Sequence, residues 1–266
     1  MYKYYSFNEH SKNSLENSTI YFSRFDLFND PFECWCTEIN GYPDPITDRD
    51  RYLSVIKTWG FSADRADEAI ETYNTYVDEI GDIPGLIDSK RYSARIACFC
   101  AEPNNLLMWS HYGDGLRGFC IEFDDCVFDE VSSNNYPIEL HQVKYRTSPP
   151  SVDTVAYSIA HDMFWHCEDA DEGLSAMFEL DSKILATKPY PWAYESEIRA
   201  ITHVKNDDIG LLVDYSPLFI KRIIVGDKAK STDIEFIREI IAKLNPRIIL
   251  EFAFRAQESY QVGIRR

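Results

Sequence analysis

Short runs of β-branched and aromatic residues recur along the whole chain, from Tyr2-Lys3-Tyr4-Tyr5 to the stretch ending at Ile264, with turn residues between them. A half-apolar strand cannot bury its face alone, so these runs must share a sheet. Strands are expected at residues 2–5, 19–22, 95–100, 117–123, 139–145, 194–203, 211–215, 222–225, 247–254 and 260–264. Two helical stretches interrupt them. Residues 45–92 form an acidic excursion poor in strand formers, in which Ser62 is placed to cap a helix over 63–80. Residues 152–187 form a long helical segment broken near 169–173. Shorter helices fit 8–17, 104–112 and 231–244, the last with Ser231 and Thr232 as cap candidates and acids in its first turn. The fold class is therefore α+β: a mixed, mostly antiparallel β core, with two small sheets around a cleft as one form of it, a helical insert and a long helical stretch. No repeat and no Gly/Ser linker marks a boundary, so residues 1–266 read as a single domain.

Hydrophobic residues make up 45% of the 266, enough to bury a substantial core. No apolar run approaches the roughly 18 residues that span a bilayer, and no apolar leader opens the chain. A soluble, cytoplasmic protein is expected. The net charge of −17 works against nonspecific binding to nucleic acid or anionic lipid, and it suits a basic protein partner or other macromolecular target. The seven cysteines are an odd number, which favours reduced thiols over a disulfide framework. Cys34-x-Cys36 and Cys98-x-Cys100 each place two thiols on one strand face, but structural zinc sites use a wider spacing, so no metal is expected. Phosphate-loop, dinucleotide-fingerprint, HExxH and nucleophile-elbow motifs are all absent.

Three segments could carry chemistry. In Trp192-Ala193-Tyr194-Glu195-Ser196-Glu197-Ile198-Arg199, a strand over 194–203 sets Glu195, Glu197 and Arg199 on one face. Arg199 can then pair with Glu197, leaving Glu195 with its pKa raised by its like-charged neighbour. The plain alternative is a solvated edge strand with one surface ion pair. On a helix over 104–112, Asn105, Met108, Trp109 and Tyr112 share a stripe that suits a core, while His111 stands at the end as an acid/base or orienting donor or as a structural residue. In Phe25-Asp26-Leu27-Phe28-Asn29-Asp30-Pro31-Phe32-Glu33, turn chemistry sits among four large apolar residues, which should pin it to the core.

Several motifs occur in an order that resembles a known family. They are the opening Met1-Tyr2-Lys3-Tyr4-Tyr5-Ser6-Phe7, Ile20-Tyr21-Phe22-Ser23, Phe28-Asn29-Asp30-Pro31-Phe32-Glu33, Cys98-Phe99-Cys100, Met108-Trp109-Ser110-His111-Tyr112-Gly113, Gly118-Phe119-Cys120-Ile121-Glu122-Phe123 and the 192–199 segment. Together they resemble the bacterial and phage family catalogued as domain of unknown function 2971, across nearly the whole chain except residues 45–90. Cys100 departs from the serine of that pattern. The resemblance implies kinship of fold and no particular activity.

The opening strand–helix–strand, with Ser23 ending its second strand, is also similar to the start of ADP-ribosyltransferase-like domains, and Glu195-Ser196-Glu197 matches the acid-x-Glu pair of some members. Lys3 or Tyr4 stands where those domains carry His or Arg. That resemblance implies NAD as the cofactor-substrate of a transferase or glycohydrolase of the kind that serves as a toxin or a phage-defence effector. Glu197 would be the key acid, Glu195 the target-activating acid and His111 a further catalytic group. Lys3, Tyr4, Ser23, Trp109, Tyr112 and Arg199 would line the NAD pocket. A non-enzymatic acidic binding module or sensor is the alternative, and oligomeric state is left open.

Overall fold

The computed structural model describes all residues except Pro84, 130–136, 167–169 and 206–207, and no side chain is described at 166 or 170–172. Cys167 and part of the expected helix break at 169–173 fall outside the described residues. The strands are β1 (Tyr2–Tyr5), β2 (Thr19–Ser23), β3 (Thr37–Ile39), β4 (Ala94–Cys100), β5 (Phe119–Phe123), β6 (Glu139–Gln142) and β7 (Lys144–Arg146). They continue with β8 (Ser151–Asp153), β9 (Thr187–Pro189), β10 (Glu197–His203), β11 (Gly210–Asp214), β12 (Ile220–Gly226), β13 (Ile249–Arg255) and β14 (Val262–Arg265). The helices are α1 (Glu9–Glu16), α2 (Arg49–Ile56), α3 (Ala69–Ile80), α4 (Leu86–Ser93), α5 (Leu106–His111), α6 (Thr154–His166), α7 (Ala170–Leu185) and α8 (Ser231–Leu244). The protein is thus α+β, as the sequence pattern requires.

Contacts divide the chain into two compact units. The first joins Met1–Phe28, Ser93–Val143 and Tyr190–Arg266; the second joins Asn29–Tyr92 and Lys144–Pro189. Both helical stretches expected from the sequence lie largely in the second unit.

The first unit is built on one ten-stranded sheet, ordered β11-β2-β4-β1-β5-β12-β13-β14, with β10 and β6 branching from β4. Among the described strands of this sheet only β12 and β13 pair in parallel, joined through α8. β4 is the fork. Along one edge it pairs with β10 from Glu197↔Cys100 to His203↔Ala94. Its other edge is shared: β1 pairs through Tyr2↔Cys100 and β2 through Ser23↔Ile96. Between those two pairings the Cys98 carbonyl accepts a hydrogen bond from Lys3 Nζ at 2.9 Å, so an ammonium supplies what a strand does not. That placement desolvates the amine and lowers its pKa, an effect opposed by Cys98 and Glu197.

Period-two alternation gives this sheet two different faces. On one, Ile20, Phe22, Ala97, Phe99, Phe119, Ile121, Phe123, Ile223 and Val225 pack with Leu15 of α1 and Ile237 and Ile240 of α8. Asn8 opens α1 with a capping box to Ser11, and Lys12 ties it to Asp233 of α8 at 2.7 Å. α8 starts at Ser231 as expected, but Lys230 is its cap residue and no side chain caps it. On the other face Tyr4, Cys100, Cys120, Ile224 and Ala253 pack with Met108 and Trp109 of α5.

The second unit holds two short parallel pairs, β3–β8 and β7–β9, and a helical core of Tyr52, Val55, Ile56, Tyr73, Val155 and Ile159. The strand expected over 139–145 is divided at Val143, whose N–H bonds to the Glu197 carbonyl. Ser62 opens a 3₁₀ turn without a side-chain cap, so α3 begins at Ala69 instead of residue 63. The 25–33 turn also differs from expectation. Leu27 and Phe32 are exposed, whereas Asp30 and Glu33 are buried. Asp30 Oδ1 accepts from the Phe32 N–H at 2.9 Å, so polar capping rather than apolar packing holds that part of the turn.

Burial raises the phenol pKa of Tyr4, Tyr157 and Tyr215. A phenol whose folded pKa is raised contributes stability fully present below its unfolded value of about 10 and lost as pH rises beyond it. Alkaline unfolding is therefore expected to begin near pH 10. Tyrosinate absorbance and far-ultraviolet circular dichroism should change together, and tyrosine titration well before unfolding would contradict this reading.

Candidate functional site

The segment before β10 is a 3₁₀ turn, Tyr190–Glu195, and not a strand. Two polar contacts hold its end: Asn105 Nδ2 donates to the Tyr194 carbonyl at 2.6 Å, and the Ala101 N–H donates to the Ser196 carbonyl at 3.1 Å. Ser196 then takes φ +44°, a left-handed conformation uncommon for a residue with a side chain. This kink separates the two acids. Glu197 and Arg199 share a face of β10, but Glu195 lies in the turn and owes its position to tertiary contacts. The expected one-faced row of three charges is therefore corrected to a pair plus a separately placed acid.

All three are buried: Arg199 is 0% exposed, and Glu195 and Glu197 are each 3% exposed. β10 is also flanked on both edges, by β4 and β6, so the solvated edge-strand alternative does not hold. Arg199 Nε donates to Glu197 Oε1 at 2.9 Å. Tyr112 Oη donates to Glu195 Oε1 at 2.7 Å. Burying a carboxylate is costly without such partners.

Opposite this pair stand Cys98, across from Arg199, and Cys100, across from Glu197. Burial, and then the charge of Glu197, pushes the Cys98 thiol well above its ordinary pKa. Burial pushes Cys100 up to about 11. Burial thus favours the neutral form of both thiols in the metal-free protein. Among the described residues, no group of three or more His, Cys, Asp or Glu side chains is arranged to hold a metal ion.

Beside the acids runs a chain of rings. Trp192 and Tyr194 centroids are 6.1 Å apart, Tyr194 and His111 6.0 Å, and His111 and Tyr112 6.3 Å. His111 is exposed; Trp192, Tyr194 and Tyr112 are half-buried. α5 places His111 and Tyr112 because Asn105 caps it, accepting from the Leu107 and Met108 N–H groups. Gly113 and Gly118 turn the chain tightly behind it: a Cβ on Gly118 would stand 2.0 Å from the Tyr5 carbonyl oxygen.

The remaining residues expected in a pocket are elsewhere. Trp109 is fully buried, edge-on to Tyr4 at 5.2 Å, and Tyr4 Oη donates to the Glu102 carbonyl at 2.8 Å. Both rings are core, because the apolar stripe of α5 faces the sheet. Ser23 lies opposite Ile96, four residues along β4 from Cys100, or about 13 Å at ~3.3 Å per residue. Lys3 occupies the fork. The structure therefore gathers Glu195, Glu197, Arg199, His111 and Tyr112, packs Tyr4 and Trp109 as core beneath Tyr112 and Tyr194, and sets Ser23 apart.

Residues 108–200 match the family model DUF2971, described as a protein of unknown function. That is the family to which the sequence motifs point. The DUF2971 match begins within α5, contains β5, ends within β10, and includes every acid and ring of the constellation just described. No curated protein and no solved structure matches the chain.

A second polar group was not anticipated. Arg222 donates to Glu122, to Glu251 at 2.5 Å and to Tyr2 Oη at 3.1 Å. Register carries this row across the sheet: Cys100 faces Tyr2, Tyr2 faces Glu122, and Glu122 faces Arg222. A lone charge within an apolar strand, as in Phe119-Cys120-Ile121-Glu122-Phe123, was the available signal. Arg222→Ala is expected to cost about 1–3 kcal/mol, since it strands two half-buried carboxylates. Urea denaturation would show this, with Glu122→Gln as the milder comparison.

Proposed function

We propose that this protein acts on the glycosidic bond of NAD, as an ADP-ribosyltransferase-like enzyme or an NAD glycohydrolase. The observation that carries the reading is the pair of buried carboxylates on either side of Ser196, one ion-paired to Arg199 and one held by Tyr112, next to four aromatic or imidazole rings. When the bond between ribose and nicotinamide breaks, nicotinamide leaves with the bonding electron pair and the sugar becomes oxocarbenium-like. A fixed negative charge near that centre stabilises the transition state more than the ground state. Glu197, positioned by Arg199, has that role. Glu195 takes the proton from the attacking water or acceptor hydroxyl, which would replace the Tyr112 phenol as its hydrogen-bond partner. His111 and Tyr194 offer ring faces to a planar nicotinamide.

The test is incubation of the purified protein with NAD, alone and with a cell lysate, reading nicotinamide release and ADP-ribose transfer by chromatography. Activity in the parent, lowered about 10²–10³-fold in Glu195→Gln, is the expected result. Because Glu195 sits in a turn, that variant should remain folded. An inactive parent, or a Glu195→Gln variant as active as the parent, overturns the reading.

A further inference from the structure

In the second unit, Phe32, Trp35, residues 146–150 and residues 187–189 line a half-open cavity of about 160 Å³. Its walls are Phe32, Trp35, Arg146, Ser148, Pro149 and Pro150, with the β9 segment closing the far side. Phe32 is 55% exposed and Trp35 56%, an unusual outlay of apolar surface for rings so firmly held. The Asp30 carboxylate caps their turn, the Trp35 N–H bonds to the Phe32 carbonyl at 3.2 Å, and the Thr37 N–H bonds to the Pro150 carbonyl at 2.9 Å. The rings meet edge to face, 6.5 Å apart at 87°. A turn braced in this way presents two rings at right angles, a corner in which a third ring can stack on one and meet the edge of the other.

Two cations line the cavity, the buried Lys188 of β9 and the exposed Arg146. Among the described residues the Arg146 guanidinium makes no hydrogen bond or ion pair, although most other arginines of this acidic chain are tied to carboxylates. A guanidinium beside an apolar corner is suited to carboxylate or phosphate, which it binds in a fork. The volume suits one ring, since about 150 Å³ of apolar cavity accommodates a benzene-sized ring, and the open mouth leaves a substituent on that ring outside it.

We infer that this cavity is a binding site for a single planar aromatic ring carrying an anionic group, the ring held by Phe32 and Trp35 and the anion by Arg146. Two sources present that chemistry, a pyrimidine nucleotide and an aromatic carboxylate. The inference does not rest on NAD chemistry, and none of its residues belongs to the Glu195–Glu197 constellation.

Isothermal titration of the full chain with uridine monophosphate and with benzoate distinguishes the two sources. At least one probe should bind, and uridine or inorganic phosphate alone should bind at least tenfold more weakly than the nucleotide. Trp35→Ala and Arg146→Gln should each weaken the bound probe at least tenfold. Both positions are exposed, so the thermal midpoint of each variant should stay at the parental value. Binding of neither probe, or binding that both substitutions leave unchanged, overturns the inference. Persistence of probe binding in Glu195→Gln shows that the two sites stand or fall separately.

Discussion

Replacing Glu197 with alanine is expected to lower stability by about 3–5 kcal/mol, because Arg199 would lose the carboxylate it meets at 2.9 Å while fully buried. A cation of that kind has no route to solvent from the centre of β10, which β4 and β6 flank. Arg199→Ala should cost a similar amount for the reciprocal reason. The double substitution Glu197→Leu with Arg199→Met should recover much of the loss, since apolar side chains of similar size remove both desolvation costs at once. Urea denaturation of the parent, Glu197→Leu, Arg199→Met and the double variant forms a double-mutant cycle, and a strong coupling energy is the expected outcome. Simple additivity would show that the pair is not an interdependent ion pair.

Trp109→Ala is expected to cost about 3–5 kcal/mol, the range for removing a large buried aromatic. Three losses combine there. The cavity would open beneath α5 between Tyr4 and the Gly113 backbone, where a Cβ on Gly113 would already stand 2.6 Å from the indole. The Pro103 carbonyl would lose the indole N–H that donates to it at 2.8 Å. α5 would also loosen, and with it the rings of His111 and Tyr112. Trp109→Phe keeps most of the apolar volume and should cost less than half as much. Denaturation measures the stability change, and amide exchange across residues 105–113 should quicken in step. A Trp109→Ala loss below about 1 kcal/mol would contradict the core assignment.

The second substitution also separates scaffold from chemistry. The helical stripe assigned Trp109 to a core and the ADP-ribosyltransferase resemblance assigned it to a pocket wall; the structure buries it as the support on which His111 and Tyr112 rest. His111 and Tyr112 were readable as site candidates from their place at the end of an apolar helix ahead of a glycine turn. Glu195 was found in the sequence for an incorrect reason. Extending a strand back to Tyr194 put it beside Glu197, whereas its burial comes from a 3₁₀ turn and from Tyr112, 83 residues away in sequence.

What the amino-acid sequence by itself determined about this protein is whatever local periodicity controls. The strands around Tyr2, Arg95, Phe119 and Ile223 follow from short runs of β-branched, aromatic and other apolar residues. α1 follows from its Asn8 cap, and the Glu197–Arg199 pair follows because residues two apart on a strand share a face. The tertiary structure alone decided the rest of the 192–199 region. The left-handed Ser196 is a backbone choice with no residue signature, since glycine or asparagine would ordinarily announce it. The fork at β4 depends on two strands sharing one edge, and the row from Tyr2 to Arg222 depends on registers between strands about a hundred residues apart. Such pairings are selected by the free energy of the whole assembled sheet, which no local window of residues contains.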